Sequence, residues 1–131
     1  TLGGTDVDST ALTFALTGFI EPRDPRVIST IDMDRKLLGR GEFLYRYRRD
    51  DGLPGEEGAF LPCSFWLVEA LALIERQDEA VQLFERLQKL ANDVGLYSEQ
   101  MDPSTRMMLG NFPQALTHLT HIGAALRLNQ G

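Results

Sequence analysis

The strongest constraint on the fold is an alternation between two kinds of predicted helix. Three segments are apolar almost all round and fall at residues 5–19, 59–74 and 112–128. Two segments between them, at residues 24–38 and 78–91, are amphipathic, with apolar residues along one stripe. A helix that is apolar on all sides is normally buried, whereas an amphipathic helix keeps one face in water. The pattern therefore predicts inner helices that alternate with outer ones.

The predicted inner helices begin about 50 residues apart, which indicates a repeated helix pair. The chain of 131 residues holds two and a half such pairs. Helix pairs of this kind stack into a solenoid or close into an (α/α) toroid. The fold class is therefore predicted to be all-α, built from antiparallel helix pairs, with residues 1–131 forming a single segment of one domain.

The connections between the predicted helices differ in a regular way. Links from an inner to an outer helix are short, whereas links from an outer to an inner helix are long and polar. Because the helices alternate in direction, all the long links should gather on one rim, at the N-termini of the inner helices. Residues 43–48, within one of these links, could form a short strand or an extended segment. The polar residues expected on the rim are Asp6, Asp8, Tyr45, Arg46, Tyr47, Arg48, Glu56, Glu57, Tyr97 and Glu99.

The expected rim has the composition of a sugar-binding pocket, because it combines tyrosines, arginines and carboxylates. Free N–H groups at the N-termini of the inner helices would also favour oxygen-bearing ligands. A solvated loop face without a ligand is equally compatible with the same residues. Asp102 lies in the turn-forming sequence Asp-Pro-Ser and is interpreted as a structural residue.

Composition excludes several classes of function. With 43% hydrophobic and 24% charged residues the chain is globular in composition. A net charge of −6 argues against a nucleic-acid partner and against an anionic membrane surface, and it is compatible with a neutral substrate. There is no phosphate-binding glycine motif and no zinc-ligand spacing, so neither a cofactor nor a metal is expected.

The single cysteine and the two histidines receive structural interpretations. Cys63 lies in an apolar run and is expected to be buried. A lone free cysteine favours a reducing compartment, so a cytoplasmic location is expected. His118 and His121 are three residues apart but have no evident third ligand, so packing or hydrogen bonding is expected rather than metal binding.

Three motifs, taken together and in this order, resemble one known family. They are Leu-Tyr-Arg-Tyr-Arg (44–48) followed by Gly-Leu-Pro-Gly-Glu-Glu-Gly-Ala-Phe-Leu-Pro-Cys-Ser-Phe-Trp-Leu-Val-Glu-Ala-Leu (52–71), then Gly-Leu-Tyr-Ser-Glu-Gln-Met-Asp-Pro (95–103), then Leu-Gly-Asn-Phe-Pro-Gln-Ala-Leu-Thr-His-Leu (109–119). In order and spacing they resemble the C-terminal part of the catalytic domain of glycoside hydrolase family 15, which includes glucoamylases, glucodextranases and bacterial trehalases. The resemblance covers nearly the whole chain.

The resemblance implies an (α/α)6 toroid of six helix pairs around a central pocket. Six repeats of about 50 residues require roughly 300 residues, so the chain would correspond to about the closing two-fifths of the domain. It also implies an inverting hydrolase that acts on α-glucosidic bonds in a saccharide.

The same resemblance assigns roles to particular residues. Glu99, in the Ser-Glu-Gln motif, corresponds to the family's general base, which activates the attacking water. Arg46 corresponds to a sugar-contacting arginine, with Arg48 as a nearby alternative. Glu57 stands where the family presents polar groups to the pocket. With Tyr47 and Tyr97 from the rim, the predicted substrate-binding residues are therefore Arg46, Tyr47, Glu57 and Tyr97.

One catalytic partner is missing from the chain. Inverting hydrolysis needs two carboxyl groups, about 6.5–9.5 Å apart, and the family's general acid belongs to preceding repeats. Neither Glu56 nor Asp102 matches the sequence motif of the family's general acid. The chain alone is therefore expected to be inactive, and its exposed inner-helix flanks predict self-association or packing against a missing N-terminal half of the barrel. The alternative function is a helical-repeat interaction module without catalysis.

Overall fold

A computed structural model describes residues 7–47 and 58–130 of the chain. The helices follow the predicted order of inner and outer elements. They are α1 (Leu12–Leu16), α2 (Pro25–Leu38), α3 (Leu61–Leu73), α4 (Gln77–Gln88) and α5 (Ala115–Asn129). A 3-10 turn at Ser9–Ala11 runs directly into α1.

Helix α3 is the centre of the described structure. Nine of its residues are buried, and α1, α4 and α5 all pack against it. Phe65 is fully buried at its middle, with the ring of Phe84 from α4 at 6.4 Å between centroids. Because apolar side chains cover every side of α3, it is stable only where other helices surround it. The predicted inner position of this segment is confirmed.

The outer helices α2 and α4 meet through charged side chains. Arg35 of α2 pairs with Glu79 of α4 at 2.7 Å, and Asp32 of α2 pairs at 2.6 Å with Arg76, which precedes α4. These side chains are a third to half exposed, so each pair contributes at most about 1 kcal/mol. The pairs confirm that these helices present a polar face to solvent.

The helix termini agree with the sequence in two cases. Asp24 caps α2, because its Oδ1 accepts the backbone N–H of Arg26 at 2.9 Å, and Pro25 occupies the first turn, where its missing N–H costs nothing. Asp8 caps the 3-10 turn by accepting the N–H of Thr10 at 2.9 Å. The first helix was predicted at residues 5–19 and is shorter in the structure. Regular α-helix is confined to Leu12–Leu16, and Gly18, two residues later, has a left-handed φ of +75°.

The start of α5 was predicted incorrectly. The final inner helix was expected to begin at residue 112, but α5 begins at Ala115. The cap is Gln114, whose backbone is extended because its N–H donates to the carbonyl of Tyr97 at 3.0 Å. A tertiary hydrogen bond thus sets the helix boundary.

Two small antiparallel sheets hold the long connections together. One pairs β1 (Gly39–Arg40) with β2 (Phe43–Leu44), and the other has the order β3-β4-β5. Its strands are β3 (Ala59–Phe60), β4 (Gln100–Met101) and β5 (Met108–Leu109). Of the two possibilities for residues 43–48, a short strand or an extended segment, a strand forms at Phe43–Leu44, whereas β1, β3, β4 and β5 were not predicted.

The sheets lie at the N-termini of the inner helices. Asp8 pairs with Tyr47 in an isolated bridge, and the N–H of Ser9 donates to the carbonyl of Arg46 at 2.9 Å. Strand β3 leads directly into α3 and pairs with β4. The three long connections therefore meet on one rim in the described part of the chain, as the alternation of helix direction predicted.

Candidate functional site

A cavity of about 160 Å³ opens on this rim. It lies between the segment after β2 and the strands β3 and β4. The lining residues are Tyr45, Arg46, Tyr47, Gly58, Phe60, Glu99 and Gln100. Three of the five predicted site residues, Arg46, Tyr47 and Glu99, are therefore brought together, although Glu99 follows the other two by about 50 positions in the sequence.

Glu99 is held by hydrogen bonds from two directions. Its carbonyl accepts the N–H of Leu61 at the start of α3 at 3.0 Å, and its own N–H donates to the carbonyl of Asn111 at 2.9 Å. The N–H of Asn111 in turn donates to Glu99 Oε2 at 3.1 Å. Both the backbone and the carboxylate of Glu99 are thus positioned by main-chain groups.

Gly110 gives the carboxylate its space. Its φ is +71°, and a Cβ added at this position would lie 2.8 Å from Glu99 Oε2 and 3.1 Å from Glu99 Cβ. No residue with a side chain could occupy this position without moving Glu99. The Gly-Asn pair therefore shapes one wall around Glu99, a role that the sequence did not reveal for either residue.

Arg46 and Tyr47 form another part of the cavity lining. Both are exposed, and the guanidinium carbon of Arg46 lies 6.0 Å from the centroid of the Tyr47 ring. A cation at this distance from an aromatic face is within the range of a cation–π interaction. The two side chains add a positive charge and an aromatic surface to a cavity that holds a carboxylate, which is a combination suited to binding and orienting hydroxyl groups.

Tyr97 lies apart from this group. Its side chain is 2% exposed, and burial raises its pKa to about 12. Its ring meets those of Phe65, His118 and His121 at centroid distances of 5.2–5.5 Å. It does not line the cavity. The histidines three residues apart on α5 were the one sequence signal that could have indicated an aromatic cluster around Tyr97.

Several predicted residues fall outside the described part of the chain. Glu57 lies there, as do Arg48 and Glu56, so the substrate-binding role of Glu57 stays a prediction. Tyr45, Gly58, Phe60 and Gln100 line the cavity without having been predicted as site residues. Gly58 and Phe60 gave no such signal, since one reads as a turn residue and the other as part of an apolar helix.

The remaining polar candidates behave as structural residues. Asp102 Oδ1 accepts the backbone N–H groups of Ser104 and Thr105 at 2.7 and 3.0 Å, and these bonds lower its pKa. Cys63 is fully buried, which raises its pKa to about 12. Within residues 7–47 and 58–130 there is no group of three or more His, Cys, Asp or Glu side chains that could hold a metal ion. In the same residues no helix combines the length and apolar character required to cross a membrane.

Comparison with known proteins extends over nearly the whole chain. Residues 3–126 match the family described as Glycosyl hydrolases family 15. A protein named Trehalase from Thermoplasma acidophilum is 43% identical over 129 residues, which cover 98% of this chain and 22% of that protein. The Trehalase of Mycobacterium tuberculosis is also 43% identical over 129 residues, covering 96% of this chain and 19% of that protein.

A solved structure described as a wild-type glycosidase has the same fold. It superposes with a TM-score of 0.81 at 21% sequence identity, and the match covers 97% of this chain and 37% of that one. The described structure and this likeness together confirm the predicted fold class, helix pairs that form part of an (α/α)6 toroid, to which the two small sheets are added. The chain spans about a fifth of the length of the curated relatives that it matches. Its match over residues 3–126 shows that the chain belongs to glycosyl hydrolases family 15.

Proposed function

We propose that the chain contributes the general base, Glu99, to an inverting glycosidase that acts on α-glucosidic bonds. The observation that carries this proposal is the position of Glu99 in the cavity with Arg46 and Tyr47, where the N–H of Asn111 holds one carboxylate oxygen at 3.1 Å. A carboxylate anchored in this way can accept a proton from a water molecule, and a fixed orientation makes that transfer efficient.

The cavity supports a role as part of a larger site. Its volume of about 160 Å³ is well below the roughly 300–1,000 Å³ of typical ligand pockets. Glu99 is the one carboxylate among the lining residues that the structure describes. An inverting reaction needs a second carboxyl group about 6.5–9.5 Å away that protonates the leaving oxygen. We infer that the general acid and the rest of the saccharide pocket come from a part of the protein outside this chain.

Arg46 and Tyr47 are proposed to bind the sugar. Arginine N–H groups donate to several hydroxyl oxygens at once, and a tyrosine ring offers an apolar surface to the C–H face of a sugar. Glu57 is retained as a proposed substrate ligand because it belongs to the motif that precedes α3. Tyr97 is proposed to act indirectly, since its side chain is buried away from the cavity.

Trehalose is the first substrate to test. The relatives that are 40–43% identical to this chain are all named trehalases. The experiment compares hydrolysis of trehalose and maltose by the full-length protein that carries this chain, before and after Glu99→Gln. Loss of the base should lower kcat by about 10²–10⁴-fold with little change in KM, because the amide keeps the shape of the side chain.

The matched control is Asp102→Asn, which makes the same chemical change three residues away in a turn. We expect this variant to keep wild-type kcat. With trehalose, inversion should first release β-glucose and α-glucose in equal amounts, because the attacked unit inverts while the leaving unit keeps its α configuration; proton NMR of the fresh product detects both anomers. Unchanged turnover in Glu99→Gln, or initial release of α-glucose alone, would contradict the proposal. The isolated chain should give no turnover.

A further inference from the structure

The segment just before Glu99 is tied to the first turns of α5 by three hydrogen bonds. The N–H of Gln114 donates to the carbonyl of Tyr97 at 3.0 Å. The N–H of Tyr97 donates to His118 Nε2 at 3.1 Å. The hydroxyl of Thr117 donates to the carbonyl of Ser98 at 3.0 Å. Two of these three bonds depend on a side chain, and His118 is the side chain that accepts.

The bond between Tyr97 and His118 assigns a role to one nitrogen of the imidazole ring. A backbone N–H can only donate, so Nε2 is the acceptor of this hydrogen bond. The ring of Tyr97 packs edge-on against the imidazole ring, with 5.4 Å between centroids and an interplanar angle of 66°. This packing and the helix backbone fix the direction in which Nε2 points.

His121, one helical turn later, provides an internal comparison. It also packs against Tyr97, with 5.2 Å between ring centroids, and it stacks on Phe84 at 5.3 Å with an interplanar angle of 8°. Its Nε2 is buried and has no hydrogen-bond partner among the described residues. The two histidines therefore share an aromatic environment, and only His118 bonds to the backbone that leads to Glu99.

We propose that His118 is a positioning residue for Glu99, an inference that rests on the function proposed above. Tyr97 lies two residues before Glu99, and its backbone N–H donates to a side chain of α5. Without an acceptor at position 118, this buried N–H would lose its partner, and the Tyr97–Ser98 segment would shift to find another. Such a shift moves the Glu99 carboxylate relative to the reacting water, to which general-base catalysis is sensitive.

The test uses three variants of the full-length protein. His118→Phe keeps an aromatic ring and removes the acceptor. His118→Gln places Oε1 near the former position of Nε2 and restores an acceptor. His121→Phe is the matched control, since it removes a histidine that makes no hydrogen bond through Nε2.

We expect His118→Phe to lower kcat for trehalose or maltose at least tenfold with KM changed less than threefold. His118→Gln should recover most of that loss, and His121→Phe should keep wild-type kcat. A purely structural contribution of the ring would instead be retained by Phe and would not be restored by Gln. Equal kcat losses in His118→Phe and His118→Gln would overturn the inference.

Hydrogen exchange measured by mass spectrometry tests the same bond without activity. A peptide that covers residues 96–101 should exchange at least tenfold faster in His118→Phe, while a peptide from α3 keeps its wild-type rate. Unchanged exchange at residues 96–101 would overturn the positioning role of His118. Absence of any glycosidase activity in the wild-type protein would instead overturn the proposed function, so the two failures are distinguishable.

Discussion

Glu99 and Asn111 are joined by a reciprocal pair of hydrogen bonds. The N–H of Glu99 donates to the carbonyl of Asn111 at 2.9 Å, and the N–H of Asn111 donates to Glu99 Oε2 at 3.1 Å. The first bond fixes the backbone of Glu99, and the second fixes the rotation of its carboxylate. Since Gly110 precedes Asn111 and lies against the same carboxylate, this short loop sets the direction in which the proposed base points.

Gly110→Ala should displace the Glu99 carboxylate. The added Cβ would lie 2.8 Å from Oε2, and the positive φ adds about 1–2 kcal/mol of backbone strain. We expect kcat of the full-length enzyme to fall at least tenfold. Gly95→Ala is a matched control because Gly95 has φ +79° and nothing within 4 Å of its Cβ position. It should lose similar stability and keep kcat, and equal kcat losses in both variants would refute the explanation.

Asp34→Asn should stabilise the protein at high pH. Asp34 is 1% exposed, its Oδ2 has no partner among the described residues, and burial followed by the nearby charge of Asp8 raises its pKa to about 7. The unfolded chain releases this proton near pH 4, so the folded state holds an extra proton between pH 4 and 7. Stability therefore falls as pH rises through that window and levels off above it.

The measurement for Asp34 is urea unfolding at pH 5 and pH 8. The advantage of Asp34→Asn over wild type should grow by about 2 kcal/mol between these two values, because the amide has no proton to lose. Asp102→Asn provides the contrast, since hydrogen bonds from backbone N–H groups lower the pKa of Asp102. The difference in unfolding free energy between Asp102→Asn and wild type should therefore not grow in favour of the variant between pH 5 and pH 8. An Asp34→Asn difference that is independent of pH would rule out a raised pKa.

Ser64→Ala should weaken the contact between β2 and α3. The backbone N–H of Leu44 donates to Ser64 Oγ at 3.0 Å, and both residues are fully buried. Removing the hydroxyl leaves a buried donor without an acceptor, which costs about 1–3 kcal/mol. Ser29→Ala on the exposed part of α2 is the control and should change the free energy of unfolding by less than about 0.5 kcal/mol. Equal effects on chemical denaturation would count against this assignment.

The isolated chain should self-associate through α5. Its apolar side chains Leu116, Leu119, Ile122 and Leu126 are 42–65% exposed and recur at helical spacing along one side. An apolar face of this kind is normally covered by another surface. Sedimentation velocity at micromolar concentration should detect oligomers, and Leu119→Lys with Ile122→Lys should shift them toward monomer. Val94→Lys, at an apolar loop residue that is 71% exposed, should leave the association unchanged. A wild-type monomer would contradict this prediction.

Local patterns explain why most helices could be predicted and the start of α5 could not. Apolar periodicity and the cap at Asp24 depend on neighbours within a few residues, so α2, α3 and α4 were found close to their true positions. The start of α5 depends on a hydrogen bond between Gln114 and Tyr97, 17 residues apart in the chain. Sequence periodicity contains no information about such a contact.

The candidate site shows the same division. The sequence alone determined that helix pairs alternate, that polar connections meet on one rim, and that the motifs around Arg46 and Glu99 belong together. Tertiary structure decided which side chains of those connections face the cavity. Tyr97 and Glu99 are two residues apart, yet α5 holds Tyr97 in the core while the start of α3 and Asn111 hold Glu99 at the cavity. The direction of each side chain follows from hydrogen bonds to distant segments, which exist only once the chain has folded.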